Sequence, residues 1–129
     1  DSLVGDAGND ILSGGSDRDD LEGGAGADTF RYYLVTESTL ADSDRIRDFD
    51  SSEGDRIDLS QIDADYIVAG NSSFVFASAF SGVAGQLVVE TAAGSSVWYV
   101  KADVNGDGMA DLQIEVRSDI VLTAADFLL

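Results

Sequence analysis

Asp1, Asp10, Asp19 and Asp28 stand nine residues apart at the start of this chain, and Leu3, Leu12, Leu21 and Phe30 follow them two places on. Aligned on these positions, Gly5–Ser13, Gly14–Glu22 and Gly23–Arg31 share the pattern G-G-x-G-x-D-x-U-x, where U is a large apolar residue. Each unit divides into a Gly-rich turn of six residues and a three-residue strand with one inward apolar side chain. Two units complete one coil, so turns n and n+2 stack on the same edge. A Gly/Asp-rich flexible linker is the alternative, and the strict ninefold spacing argues against it.

Glycine permits backbone conformations that aim several carbonyl oxygens at one point. Those carbonyls and an Asp carboxylate are the all-oxygen ligand set that Ca²⁺ prefers. Strands this short bury too little apolar area to hold a coil alone, so bound calcium would be part of the fold. The charge balance agrees. With 25 acidic and 7 basic residues the net charge is −18, and bound cations would relieve the self-repulsion. The same balance excludes nucleic acid and anionic membrane surfaces as partners. Histidine and cysteine are both absent, which removes imidazole catalysis, His-ligated zinc, disulfides and thiol chemistry. No apolar run reaches the roughly 20 residues of a membrane helix, and no N-terminal signal peptide is visible. A hydrophobic fraction of 44%, with Trp98, four Tyr and six Phe, is enough for a core.

The nonapeptides resemble RTX proteins, whose repeats form calcium-binding β-rolls. The resemblance implies that the earlier turn of a stacked pair contributes its positions two, four and six and the later turn its positions one, three and six. Asp6, Gly8 and Asp10 would then face Gly23, Ala25 and Asp28 across one ion. A second ion would lie between a turn ending at Asp1 and the set Gly14, Ser16 and Asp19. The chain starts at the sixth position of that turn, as a piece of a longer parent would. The middle unit departs from the pattern at Ser16 and Asp17.

Beyond Tyr32 the ninefold register gives way to alternating segments. Arg45–Phe49 and Arg56–Leu59 read as strands joined by residues 50–55. Phe74–Phe80 reads as an apolar run ending in a helical turn, Leu87–Glu90 and Val97–Lys101 as a hairpin, and Leu112–Val116 as a further strand. Residues 120–129 close the chain. The expected class is all-β: a truncated parallel β-roll over residues 1–31, then an antiparallel, sandwich-like capping domain over 32–129.

Gly26-Ala27-Asp28-Thr29-Phe30, Asp44–Phe49 and Gly54–Ser60 together resemble the C-terminal domain of serralysin-type metalloproteases, and Phe80–Leu87 and Asp126–Leu129 continue the likeness. Similar modules end alginate epimerases, lipases and other type I-secreted enzymes. This resemblance implies that downstream acids, here Glu37, Asp44 and Asp55, complete the last calcium turn at Gly15, Asp17 and Asp19. The plain alternative is three solvated strand-end carboxylates. It also implies that Asp126, Phe127, Leu128 and Leu129 form a type I secretion signal; the alternative is a last strand packing Phe127 and Leu129 on the core.

Asp103, Asn105, Asp107 and Asp111, with Gly108 at the sixth place, match the first nine places of an EF-hand-like loop. Ile114 stands where the twelfth-place Glu belongs, and Glu115 is one residue late. Asn-Gly and Asp-Gly are also hairpin signals, so calcium loop and structural hairpin stay level. Trp98-Tyr99 reads as filling both faces of a strand, or as a sugar-stacking platform. No phosphate loop, dinucleotide fingerprint or nucleophile elbow occurs. The expectation is a non-catalytic, extracellular module of a type I-secreted enzyme, with calcium, the export machinery and an N-terminal catalytic domain as partners. An alginate-binding module and an adhesin repeat are the alternatives.

Overall fold

The computed structural model describes residues 1–129. Eleven short strands run β1 (Ser2–Val4), β2 (Ile11–Leu12), β3 (Asp20–Glu22), β4 (Thr29–Arg31), β5 (Asp44–Ile46), β6 (Arg56–Asp58), β7 (Val75–Phe76), β8 (Gln86–Thr91), β9 (Val97–Asp103), β10 (Leu112–Arg117) and β11 (Phe127–Leu128). The helical content is two single 3₁₀ turns, Val35–Glu37 and Ala124–Asp126. No helix is long and apolar enough to cross a membrane. The all-β architecture expected from the repeats is present.

Ninefold spacing sends successive units to opposite walls. Leu3 pairs with Leu21, and Leu12 with Phe30, in parallel ladders offset by two units. One sheet has the order β1-β3-β5-β10-β9-β8-β7 and the other β11-β6-β4-β2. The inward apolar positions stack into two columns. Leu3, Leu21, Ile46 and Val116 line one wall; Leu12, Phe30, Ile57 and Phe127 line the other. Leu21, Phe30, Ile46 and Ile57 are wholly buried, and each such side chain removed from water stabilises by about 1.5–3 kcal/mol.

Both walls run past the last repeat without a break. Arg45–Phe49 and Arg56–Leu59 supply one strand each to opposite sheets, so the segment 50–55 is a further turn of the coil. Antiparallel pairing is confined to β8, β9 and β10, while β5–β10, β6–β11 and β7–β8 pair parallel. The 87–101 hairpin forms as expected. Phe74–Phe80 forms only the two-residue β7 followed by bends, with no helical turn: Ala77 donates its N–H to Leu87 O at 2.9 Å, which keeps the chain extended along β8.

A candidate metal centre on the roll edges

Turn 5–10 lies against turn 23–28. Gly8 donates to Ala25 O at 2.9 Å and Ala25 to Asp6 O at 2.8 Å, so Asp6, Gly8, Asp10, Gly23, Ala25 and Asp28 share one edge. Gly14, Gly15, Ser16, Asp17 and Asp19 occupy the opposite edge, with Asp1 above and Asp44 below. Asp6 and Asp17 hold positive φ values of 72° and 73°, a conformation that Asp tolerates better than most residues.

The sixth-position aspartates form two hydrogen-bonded ladders. On one edge the Asp1 amine donates to Asp19 Oδ1 at 2.5 Å and Asp19 N–H to Asp44 Oδ1 at 2.9 Å. On the other, Asp10 N–H donates to Asp28 Oδ1 at 2.8 Å and Asp28 N–H to Asp55 Oδ1 at 2.9 Å. One oxygen of each receiving carboxylate is thus spent on the coil above. The Oδ2 atoms of Asp10, Asp19, Asp28 and Asp44 are buried and have no partner.

Those free oxygens have a direction. A Cβ built on Gly5 would meet Asp10 Oδ2 at 2.9 Å, and Cβ atoms on Gly14 and Gly23 would collide with the carboxylates of Asp19 and Asp28. Each of these three carboxylates therefore folds back over its own turn, and glycine at the first position leaves it room. Leaving a buried polar atom unpaired costs about 1–3 kcal/mol, and more when it is charged. No group of three or more acidic side chains is placed to hold a metal by itself. Turn carbonyls must complete any coordination shell, and a mixed carboxylate and carbonyl set is the chemistry of Ca²⁺. The donors present fit that ion.

Asp44 is fully buried. Burial, with the charges of Asp19 and Glu37 adding to it, pushes its carboxyl up to about 6. Glu37 is buried beside it and accepts the Tyr33 N–H at 3.0 Å. Asp55 stands on the other edge, under Asp28. Its second oxygen accepts Asp50 N–H at 2.9 Å, so the ladder closes there. Glu37 and Asp44 therefore gather at the end of the Asp19 edge, while Asp55 ends the Asp28 edge.

Two residues escaped the sequence reading. Asp48 accepts the N–H groups of Gly23 and Gly24 at 3.0 and 2.8 Å, pinning turn 23–28 from below. Tyr32 is wholly buried, with its hydroxyl against the Asp44 carboxylate. The Tyr32 signal was its place two residues beyond Phe30, on the inward face.

The chain matches the family described as Peptidase M10 serralysin C terminal over residues 1–129. It belongs to that family. The family region is the C-terminal, non-catalytic part of serralysins. Metalloprotease AprA of Pseudomonas entomophila (strain L48) is 39% identical over 95 residues, which cover 74% of this chain and 19% of that protein. This serralysin-type chain thus spans about a fifth of that relative. Its fold is also that of two solution structures from the Azotobacter vinelandii mannuronan C5-epimerase. The AlgE6R3 subunit matches with a TM-score of 0.64 and 34% identity over 98% of this chain and 66% of that one. The AlgE6R2 subunit matches with a TM-score of 0.68 and 25% identity over 99% and 86%.

The loop between β9 and β10 is organised differently. Asp103 accepts N–H groups from Asn105 (3.2 Å), Gly106 (2.6 Å) and Gly108 (2.8 Å). Asp111 accepts from Val104 N–H at 2.9 Å and the Asn105 amide at 3.0 Å, and Asp107 accepts from Met109 N–H at 2.8 Å. The loop caps itself with its own acids. At the C-terminus, Asp126 accepts the Thr123 N–H at 2.7 Å. Phe127 is buried edge-to-face on Phe76, and Leu128 O accepts Leu59 N–H at 2.9 Å. Leu129 packs against the core.

Trp98 is half-buried, with its indole N–H on Ser118 O at 3.2 Å, while Tyr99 is exposed on the outer face. Trp98 borders a surface cavity of about 420 Å³ with Ser95, Ser96 and Asp119. That cavity adjoins one of about 330 Å³ lined by Arg47, Arg117 and Asp119.

Proposed function

We propose that this chain is the calcium-dependent folding and export module of an extracellular, type I-secreted enzyme, and that it performs no catalysis itself. The observation that carries this reading is the set of four buried, unpartnered Oδ2 atoms at Asp10, Asp19, Asp28 and Asp44. In the cation-free chain these carboxylates oppose folding, both by mutual repulsion and by lost hydration. Calcium sites of extracellular modules have affinities of about 10⁻⁴ to 10⁻³ M. Such sites stay empty inside a cell, leaving the chain unfolded and exportable, and fill outside. Binding to the folded state alone then stabilises it by mass action. Turn carbonyls of Asp6, Gly8, Gly14, Gly15, Ser16, Asp17, Gly23 and Ala25 would share the ions with the aspartates. The 103–111 loop acts as a structural connection, because its acids are occupied by backbone N–H groups.

Asp126–Leu129 supply the export signal. The folded state integrates them into an edge strand, so the signal is read before folding. The partners are the type I export machinery and an N-terminal catalytic domain, of the protease kind carried by the family relative. The test is calcium content after equilibrium dialysis, with export of a carried enzyme from a type I-competent bacterium. Wild type should retain ions that D10N/D28N loses, and deletion of residues 126–129 should abolish export. A wild type without bound calcium would overturn the reading.

A second reading, polysaccharide binding, is favoured by the Trp98 groove beside Arg47 and Arg117 and by the likeness to epimerase subunits. Retarded migration in alginate-containing gels, lost in W98A, would support it. Unretarded migration of wild type would remove it.

A further inference from the structure

Residues 105–108 hold the chain's one Asn-Gly pair and its one Asp-Gly pair, Asn105-Gly106 and Asp107-Gly108. Both pairs are prone to the same reaction. The glycine backbone nitrogen, once it gives its proton to solvent base, attacks the side-chain Cγ of the residue before it. At Asn105 a C–N bond forms and ammonia leaves, taking a proton from solvent; at Asp107, once its carboxyl is protonated, water leaves. Water then opens the five-membered imide at either carbonyl, giving aspartate or isoaspartate, and isoaspartate adds a methylene to the main chain. A glycine nitrogen reacts fastest because no side chain shields it. The loop cannot avoid glycine, since Gly106 and Gly108 hold φ values of 76° and 82°, a region that strains other residues. A Cβ on Gly106 would also stand 3.0 Å from Ala84 N.

One carboxylate holds both attacking nitrogens. Asp103 is fully buried; its Oδ1 accepts the Gly106 N–H at 2.6 Å and its Oδ2 the Gly108 N–H at 2.8 Å. The groups to be attacked are tied elsewhere. Asn105 Oδ1 accepts the Asp107 N–H at 2.8 Å, and the Asn105 amide donates to Asp111 Oδ1 at 3.0 Å. Asp107 Oδ1 accepts the Met109 N–H at 2.8 Å. We propose that Asp103 protects the two pairs chemically, so that Asn105 and Asp107 are modification sites open only when the loop unfolds. A carboxylate on the N–H makes its proton harder to remove, because the anion left behind would face a like charge. Holding both ends of the Asn105 amide resists the rotation that brings its Cγ to Gly106 N. This protection needs no bound ion and stands apart from the cation-binding reading. Its loss would damage the turn: an aspartate at position 105 would set a carboxylate against Asp111 where an amide now donates. Isoaspartate would lengthen the connection across which Asp111 N–H donates to Ala102 O at 2.7 Å. Copies that stay unfolded age irreversibly, while folded copies do not.

Peptide mapping by mass spectrometry after incubation in mildly alkaline calcium buffer tests this, on wild type with and without guanidinium and on folded D103A, D103N and G23A. In wild type, unfolding should speed modification of Asn105 and Asp107 by at least about tenfold, a loop-opening free energy of about 1.4 kcal/mol. D103A should approach the unfolded rate at both residues. D103N disturbs packing least and keeps one acceptor oxygen, so it should release one glycine nitrogen, speeding one pair and sparing the other. G23A is weakened at a roll turn and should age like wild type. Equal rates in folded and unfolded wild type would overturn the proposal, as would wild-type rates in D103A and D103N. Equal ageing of D103A and G23A would overturn it too, by making the lability follow overall stability.

Discussion

The roll edges and the β9–β10 loop are equally acidic and differ in what their carboxylates touch. In the loop, Asp103 alone takes three backbone N–H groups, so its acids stabilise a tight turn by themselves. In the roll Asp19, Asp28 and Asp44 each give one oxygen to the coil above and keep the other buried and unpaired, and Asp10 also keeps a buried, unpaired Oδ2. Density of acid therefore says little about cation binding. What matters is whether the fold leaves a carboxylate oxygen without a donor and with room in front of it.

Substitutions that separate the two regions should show opposite signs. The largest effect is expected from D28N, which keeps the Oδ1 acceptor for Asp10 N–H and replaces the free Oδ2. In saturating calcium it should lose about 2–3 kcal/mol, the stabilisation from a ligand at about 100 times its dissociation constant. In chelator it should equal or exceed wild type. Urea unfolding in both buffers checks this, and equal loss in both would merge the two regions into one class.

G23A comes next. Its methyl would stand 2.9 Å from Asp28 Cβ and collide with the carboxylate, so a loss of about 1–3 kcal/mol is expected. Gly94 has φ 76° with nothing near its missing Cβ; G94A should cost only about 1 kcal/mol. Thermal unfolding of the pair reads the difference, and the calcium gain should vanish at that turn only in G23A. D103A should cost about 2 kcal/mol, from the stranded N–H groups, and cost it equally with and without calcium. A calcium-dependent loss in D103A would return the loop to the ion-binding class.

The smallest effect is on pH dependence in chelator. Asp44 titrates at about 6 when folded and near 4 when unfolded. Between those values the folded state binds the extra proton, so stability falls as pH rises through the window. Cation-free wild type should gain stability on acidification from about pH 7 to about pH 5, and D44N should gain less. A steeper gain in D44N would contradict the burial of Asp44.

The repeats made the roll legible because Asp and Leu recur at nine, and parallel ladders need only that offset to stack Leu3 on Leu21. The hairpin of β8 and β9 was legible from the two strand-like runs Leu87–Glu90 and Val97–Lys101 close together in sequence. Continuation of the coil was not. Asp19 to Asp44 spans 25 residues and Asp28 to Asp55 spans 27, because inserted loops lengthen those turns and hide the register. The family resemblance grouped Asp55 with Glu37 and Asp44, whereas the fold places it on the other edge, under Asp28. Tyr32 was hidden by its ordinary strand pattern; only the fold shows that its hydroxyl lies against Asp44.

Calcium titration of chelator-treated protein followed by far-ultraviolet circular dichroism, with magnesium as the control, tests the calcium switch most directly. A cooperative gain of β signal with calcium alone, abolished in D10N/D28N and kept in D103A, is the expected result. A full β signal in chelator that calcium leaves unchanged would contradict it.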